Sequence, residues 1–443
     1  MSARTTAPGP FHSLLRHASL YTASNIINRA FPFLLLPFLT YYLSPEQYGI
    51  FVLFQVVVNL LIPLIGLSSE AAAARAYVIL PPQEHPAYVS SMLFVAASMT
   101  ILLSVAELAM GHIVASFLSF PVMWLPVGII VAFGEVVKNL NLALWRIQKQ
   151  VRKYVLFNIT QATVRFVASL LPVVLFSDKL SALLWGYSVS LAAFSVAGGV
   201  ILVRRKYVVL RVHREHLVSF LKYGLPLVVH SIGAWLQGMA DRVIVTRRLG
   251  LAETGIYSVG YSIGMGVGLV QDAFNRAWVP FFFEGLKKNE EHTNLRIVHL
   301  IILYAIGMLT LALGLALAAP FIFPILGPKY ATAQKFVVWI AFAYAFNGIY
   351  KMFTNFIFYS KEVYILSIIT LSSGVFNVIL SYVLVGGRGV IGAAYASLVT
   401  QIVMCVVVFW AARRLSPMPW RKGWSSFFSE VALRVRRFRN AHS

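Results

Sequence analysis

Leu43-Ser-Pro-Glu-Gln-Tyr-Gly49-Ile50-Phe51 and Leu249-Gly-Leu-Ala-Glu-Thr-Gly255-Ile256-Tyr257 are two versions of one pattern, 206 positions apart in a chain of 443 residues. In both, a leucine closing an apolar run is followed six positions later by Gly-Ile and an aromatic ring opening the next run. Tyr154 and Tyr364 give a weaker echo at a similar offset. Repetition at about half the chain length indicates two copies of one helical unit, as in many carriers.

The composition says what those units sit in. The chain is 59% hydrophobic and 12% charged, against about 25% charged for a soluble domain, so it is read as a polytopic membrane protein. A helix needs about 20 apolar residues to cross the hydrocarbon. Twelve such runs lie near 14–42, 47–78, 88–110, 121–145, 154–177, 181–203, 218–247, 253–283, 296–322, 332–358, 362–384 and 390–412. The first is too long for a cleaved signal peptide and lacks a small-residue cleavage site. The expected fold is all-α, with 12 transmembrane helices in two pseudo-symmetric six-helix bundles. The first lobe is 1–203, a basic cytoplasmic linker 204–217, the second lobe 218–414 and a basic tail 415–443. Six crossings per half preserve orientation, so the repeats are parallel and related by an axis along the membrane normal.

Thirty-seven Lys and Arg against 15 Asp and Glu leave a net charge of +22. With the termini inside, 24 of the basic residues fall in inner loops and five outside, which places both ends in the cytoplasm. The charge is thus explained by topology, and no nucleic-acid motif accompanies it. In the tail, Trp420, Trp424, Phe427, Val431 and Val435 recur at helical spacing among arginines and lysines, as in an amphipathic helix on an anionic leaflet of membrane lipids. A single cysteine, Cys405, leaves no disulfide or thiolate metal cluster within the chain.

Polar residues within the spans carry the functional signal. An arginine at membrane depth costs about 2.5–3.5 kcal/mol, and four are present: Arg29 with Asn25 and Asn28, Arg75 beyond Glu70, Arg165 with Asn158 and Gln161, and Arg276 with Asp272 and Asn275. Glu135 and Lys138, three apart, read as a self-neutralising scaffold pair, whereas Arg29 and Arg165 have no acid within a turn. Guanidinium groups stay charged in low dielectric and bind phosphate oxygens in pairs, so an anionic diphosphate suits them. Asn347, Lys351 and Asn355 recur every fourth residue of the tenth span, where they could line a wet chamber. Asp241, on one face with His230 and Gln237, is the leading ion-coupling candidate, with Glu70, Asp272 and Asn377 alongside. No P-loop appears, and neither a cofactor nor catalysis is expected.

Phe31-Pro-Phe-Leu-Leu-Leu-Pro37-Phe-Leu-Thr40, the Leu43–Gly49 motif, Asp241-Arg-Val-Ile-Val followed by Gly255-Ile-Tyr257, and Gly392-Ala-Ala-Tyr-Ala396 resemble the Wzx-type O-antigen and exopolysaccharide repeat-unit flippases. The resemblance implies a two-lobed carrier of the superfamily that also holds lipid II flippases and multidrug-and-toxin exporters. Its cargo would be an undecaprenyl-diphosphate-linked oligosaccharide moved from the inner to the outer leaflet of the bacterial inner membrane, with a proton or sodium as coupling ion and a polysaccharide polymerase as neighbour. In lipid II flippases the cavity arginines come from the first, second and eighth spans, which here hold Arg29, Arg75 and Arg276. A multidrug exporter shares the fold but favours acidic or aromatic cavities. A membrane glycosyltransferase or polymerase would need larger acidic or histidine-bearing outer loops than this chain offers.

Overall fold

The computed structural model describes residues 10–209, 212–288 and 290–429, with side chains from Leu20 onward except those of Thr22, Ile26, Arg29 and Val363. Among these residues the secondary structure is helical, without strands. The fourteen long helices are α1 (Pro10–Tyr42), α2 (Pro45–Gly66), α3 (Ser69–Ile79), α4 (His85–Leu118), α5 (Trp124–Ile147), α6 (Val151–Leu175), α7 (Lys179–Arg204), α8 (Arg214–Leu249), α9 (Leu251–Gly264), α10 (Gly266–Lys288), α11 (Glu291–Leu326), α12 (Gln334–Tyr359), α13 (Val363–Arg388) and α14 (Ile391–Leu415). Every expected crossing is there. The second is α2 with α3, and the eighth is α9 with α10.

Ten segments among the described residues are long and apolar enough to cross a membrane by composition alone. The other two expected crossings are α1 and the α9–α10 pair. These hold Asn25, Asn28 and Arg29, and Gln271, Asp272, Asn275 and Arg276. Their polarity lowers their hydropathy and also carries the functional signal.

Local chemistry sets the helix ends. Ser44 caps α2 in a reciprocal box: its Oγ accepts from the Gln47 N–H at 3.2 Å, the Gln47 Oε1 accepts from the Ser44 N–H at 3.0 Å, and Pro45 occupies the first turn. Asp178 caps α7 by accepting from the Ser181 N–H, and hydrogen bonds from the Ser181 hydroxyl and then from its N–H hold the Asp178 carboxyl below the usual range.

Two close packings explain the repeat and the first break. A Cβ on Gly49 would lie 2.1 Å from the Leu251 carbonyl oxygen, and one on Gly255 would lie 1.9 Å from that of Pro45. The duplicated glycines therefore face one another where the first turns of α2 and α9 meet at backbone distance. Between α2 and α3, Leu67 and Ser68 take left-handed φ of 43° and 56°, which costs roughly 1–3 kcal/mol each. Packing holds them there: a Cβ on Gly66 would strike Val136, and one on Gly224 would strike the Leu67 carbonyl. Beyond the break, Ala72, Ala73 and Ala76 are buried, and their small side chains let α3 lie close to α4 and α5.

The helices form two compact units. The first comprises residues up to 259 with 324–332, and the second comprises 260–323 with 333–443. In the first, α8 packs with α2, α3 and α4, and α1 packs along α6. The core of the second is aromatic, built on Trp278, Phe282, Phe353, Phe356 and Phe409. Trp420, expected to lie on the leaflet, is 8% exposed and inserts among Phe353, Phe356 and Phe409. Residues 420–429 are helical; Gly423 packs on Val298, and the Ser426 hydroxyl and the His299 ring share a 2.8 Å hydrogen bond. Trp424 and Phe428 remain exposed; Val431 and Val435 lie outside the described residues.

Candidate functional site: a basic, amide-lined cavity in the first unit

Helices α1, α3, α5 and α6 surround a cavity of about 200 Å³. Its lining is Asn25, Asn28, Glu70, Lys138, Asn139, Leu142, Ala143, Arg146, Tyr154, Asn158, Gln161 and Arg165. Most of these are polar side chains at positions within otherwise apolar helices, and the polar stripes of α1 and α6 meet because those two helices pack along each other.

One hydrogen-bonded chain runs along that seam. The Arg165 guanidinium donates to Asn28 Oδ1 at 2.9 Å, the Asn28 amide donates to Asn158 Oδ1 at 2.7 Å, and the Asn158 amide donates to Asn25 Oδ1 at 3.3 Å. The Tyr154 hydroxyl donates to the same Asn25 oxygen at 3.0 Å. Arg165 is thereby oriented by an amide rather than neutralised by an acid, so its positive charge remains available to a ligand. Across the cavity, the Arg146 guanidinium stands 3.8 Å from Glu70, and Lys138 bonds Glu135 at 2.5 Å. Of the three cations in the lining, Lys138 is thus offset by Glu135 and Arg146 by Glu70, and the surplus positive charge is that of Arg165, which has no acidic partner among the described residues. Gln161 is 1% exposed, and neither atom of its amide has a partner among the described residues. Leaving such an amide unsatisfied costs about 1–3 kcal/mol per polar atom.

The other expected residues lie elsewhere. Arg75 stacks on the Tyr223 ring at 5.0 Å and is exposed. Asp241 is 1% exposed; one carboxylate oxygen is 2.6 Å from Arg242, and the other accepts from the Tyr257 hydroxyl at 2.5 Å. In the second unit, Asp272 pairs with Lys351 at 2.7 Å, Asn275 accepts from the Asn355 amide at 3.2 Å, and Arg276 is exposed. Asn377 is buried with its amide donating to Thr400 Oγ1 at 3.2 Å. The side chain of Arg29 lies outside the described residues, although its backbone is part of α1. Among the described residues no cluster of three or more His, Cys, Asp or Glu is placed to hold a metal ion.

The family model described as polysaccharide biosynthesis protein matches residues 14–286, more than half of the chain. The chain belongs to this family. Similar relatives in Haemophilus influenzae are Lsg locus putative protein 1, 22% identical over 62% of this chain and 68% of its own length, and an uncharacterized membrane protein, 22% identical over 81% and 88%. Among solved structures, lipid II flippase MurJ in an inward closed conformation superposes with a TM-score of 0.73 at 12% identity, covering 89% of this chain and 87% of its own. An inward-facing multidrug resistance MATE family transporter of the MOP superfamily gives 0.71 at 15% identity, covering 88% and 95%. At those identities the likeness establishes the fold. The chain is therefore a multi-pass membrane protein of a polysaccharide biosynthesis family, with a fold shared by a solved lipid II flippase and a solved multidrug resistance transporter.

In this family member, Asn25, Asn28, Glu70, Asn158, Gln161 and Arg165 are the expected residues that the structure gathers into one lining. Sequence reading missed Lys138, Asn139, Arg146 and Tyr154 as lining residues. A signal for α5 was present in Lys138-Asn139-Leu140-Asn141, a polar cluster inside an apolar run. Arg146 was masked by its place at the end of that run, where a basic residue reads as a topology marker.

Proposed function

We propose that this protein is a flippase that carries undecaprenyl-diphosphate-linked oligosaccharide repeat units, of the O-antigen or exopolysaccharide kind, from the inner to the outer leaflet of the bacterial cytoplasmic membrane. It works by alternating access between lobes 1–203 and 218–414, with both termini in the cytoplasm. The observation supporting this reading is the cavity of the first unit, where Arg165 faces the space without an acidic partner, Arg146 stands opposite Glu70, and Asn25, Asn28, Asn158 and Gln161 supply amides. A diphosphate brings about two negative charges and many acceptor oxygens, which Arg165 and Arg146 bind in bidentate fashion. A cationic drug would meet an excess of like charge in the same space, which disfavours the multidrug exporter.

Export of an anion from an inside-negative cell is downhill by about 2.3 kcal/mol per charge per 100 mV, so the potential assists the loaded carrier. Glu70, the acid in the lining, is the proposed proton carrier for the return step. Asn377 is a further coupling candidate, and Arg29, Arg75 and Arg276 are further contacts for the anion as the carrier changes state. A polymerase acting on the delivered unit is the proposed neighbour.

The test is Arg165→Ala beside Arg165→Lys, scored by surface glycan and by protein abundance in the membrane. Glycan export is expected to fall in the alanine variant at normal abundance and to recover in part with lysine. Unchanged export in Arg165→Ala at normal abundance would overturn it.

A further inference from the structure

The second unit carries its own run of polar side chains at membrane depth. Gln271, Asp272 and Asn275 lie on α10, Asn347, Lys351 and Asn355 recur every fourth residue of α12, and Gln401 lies on α14. They meet in rungs. The Gln271 amide donates to Asn347 Oδ1 at 3.0 Å, and the Asn347 amide donates to Gln401 Oε1 at 3.0 Å. The Lys351 ammonium donates to Asp272 at 2.7 Å, and the Asn355 amide donates to Asn275 at 3.2 Å. From residue 347 to 355 the strip is about 12 Å long.

Two features separate this strip from scaffold. Lys351 and Asp272 keep 28% and 25% of their side-chain surface uncovered. An ion pair so open faces water or polar cargo, because hydrocarbon would not tolerate it. The second feature is a pair of buried, unpartnered oxygens. Gln271 is 2% exposed and Tyr304 7%, yet neither Gln271 Oε1 nor the Tyr304 hydroxyl has a partner among the described residues. Both press on Gly348, where an added Cβ would lie 2.9 Å and 2.8 Å from them.

We propose that this strip is a subsite for the hydroxyl groups of an uncharged glycan; the proposal rests on the reading of the chain as a carrier of lipid-linked oligosaccharides. The charges of Asp272 and Lys351 cancel each other, so this rung adds no net charge to the strip, unlike the cavity of the first unit. It offers donors and acceptors in alternation, and one rung does not exhaust them: an ammonium has three N–H donors, and each amide has two donors and two lone pairs. Sugar hydroxyls both donate and accept, so they fit that alternation. A diphosphate, which only accepts, does not.

The experiment uses the full chain in lipid nanodiscs and two probes: undecaprenyl diphosphate without sugar, and undecaprenyl diphosphate bearing the complete repeat unit extracted from the source cells. For the wild type, the sugar is expected to tighten binding at least tenfold. Asp272→Leu combined with Lys351→Met removes the pair without leaving a lone charge, and this variant is expected to lose that increment while binding the sugar-free probe as the wild type does. Gln401→Leu, at a partly exposed position, provides a second variant with the same expected direction. A wild type that gains nothing from the sugar, or variants that retain the whole increment, would overturn the subsite and leave the flippase reading intact. A wild type that binds neither probe would overturn the flippase reading itself.

Discussion

Arg165 and Arg242 are both guanidinium groups in the first unit, both on membrane-crossing helices, and their surroundings differ in kind. Arg242 is 7% exposed and closes a knot with Asp241 and Tyr257 in which both carboxylate oxygens are engaged. Arg165 is held by the amide of Asn28 and opens on a cavity with a surplus of positive charge. A buried charge beside its own counter-ion has spent its interaction within the protein, whereas one oriented by a neutral group still has most of it to offer. Position in a span does not separate scaffold from site; the partner does.

The largest effect expected from this contrast is at the knot. Arg242→Met leaves Asp241 buried without its cation and should destabilise the protein by about 3–5 kcal/mol, seen as loss of membrane abundance and a lowered unfolding temperature. The triple variant Asp241→Leu, Arg242→Met, Tyr257→Phe should restore much of that stability, with glycan export per folded molecule close to wild type. Lost export in a well-folded triple variant would break the comparison by moving the knot into the transport machinery. Next is Arg165→Ala, expected to reduce export about 10- to 100-fold, the weight of a charged hydrogen bond of roughly 1.5–3 kcal/mol, with abundance unchanged.

Gly49→Ala sharpens the structural side. Its methyl group would meet the Leu251 carbonyl, and the overpacking should cost about 1–3 kcal/mol in thermal unfolding of the purified protein. The smallest effect is at Glu70→Gln. Removing the acid from the lining should tighten binding of sugar-free undecaprenyl diphosphate about three- to fivefold, as expected for an exposed charge worth roughly 0.7–1 kcal/mol. If Glu70 carries the returning proton, turnover should fall in the same variant. Tighter binding with undiminished turnover would assign the return step to another group.

The crossings were legible because long apolar runs bounded by Pro, Gly and charge permit little else, and the observed helices match all twelve runs to within a few residues at most ends. The break at 67 and 68 was not legible. Neither leucine nor serine favours a left-handed backbone, and the packing partners Val136 and Gly224 are far away in sequence. That break also resets the helical phase between α2 and α3, so the face on which Arg75 falls could not be counted from the start of the second run. Asn28 and Arg165 stood out because a polar side chain in an apolar run is an exception that needs a reason. Lys138 did not, because Glu135 three residues away already supplied one, and only the packing of α5 against α3 and α6 brings it to the lining. The tail was half legible: its spacing marked a helix, but the sequence could not tell that Trp420 serves the core while Trp424 faces outward.

The cavity of the first unit is the proposed seat for a diphosphate. Its most direct test is the dissociation constant of sugar-free undecaprenyl diphosphate for the full chain in nanodiscs, compared between wild type, Arg165→Lys and Arg165→Ala. The prediction is binding weakened at least tenfold in Arg165→Ala and by less in Arg165→Lys, with equal unfolding temperatures. Equal dissociation constants across the three proteins would contradict it.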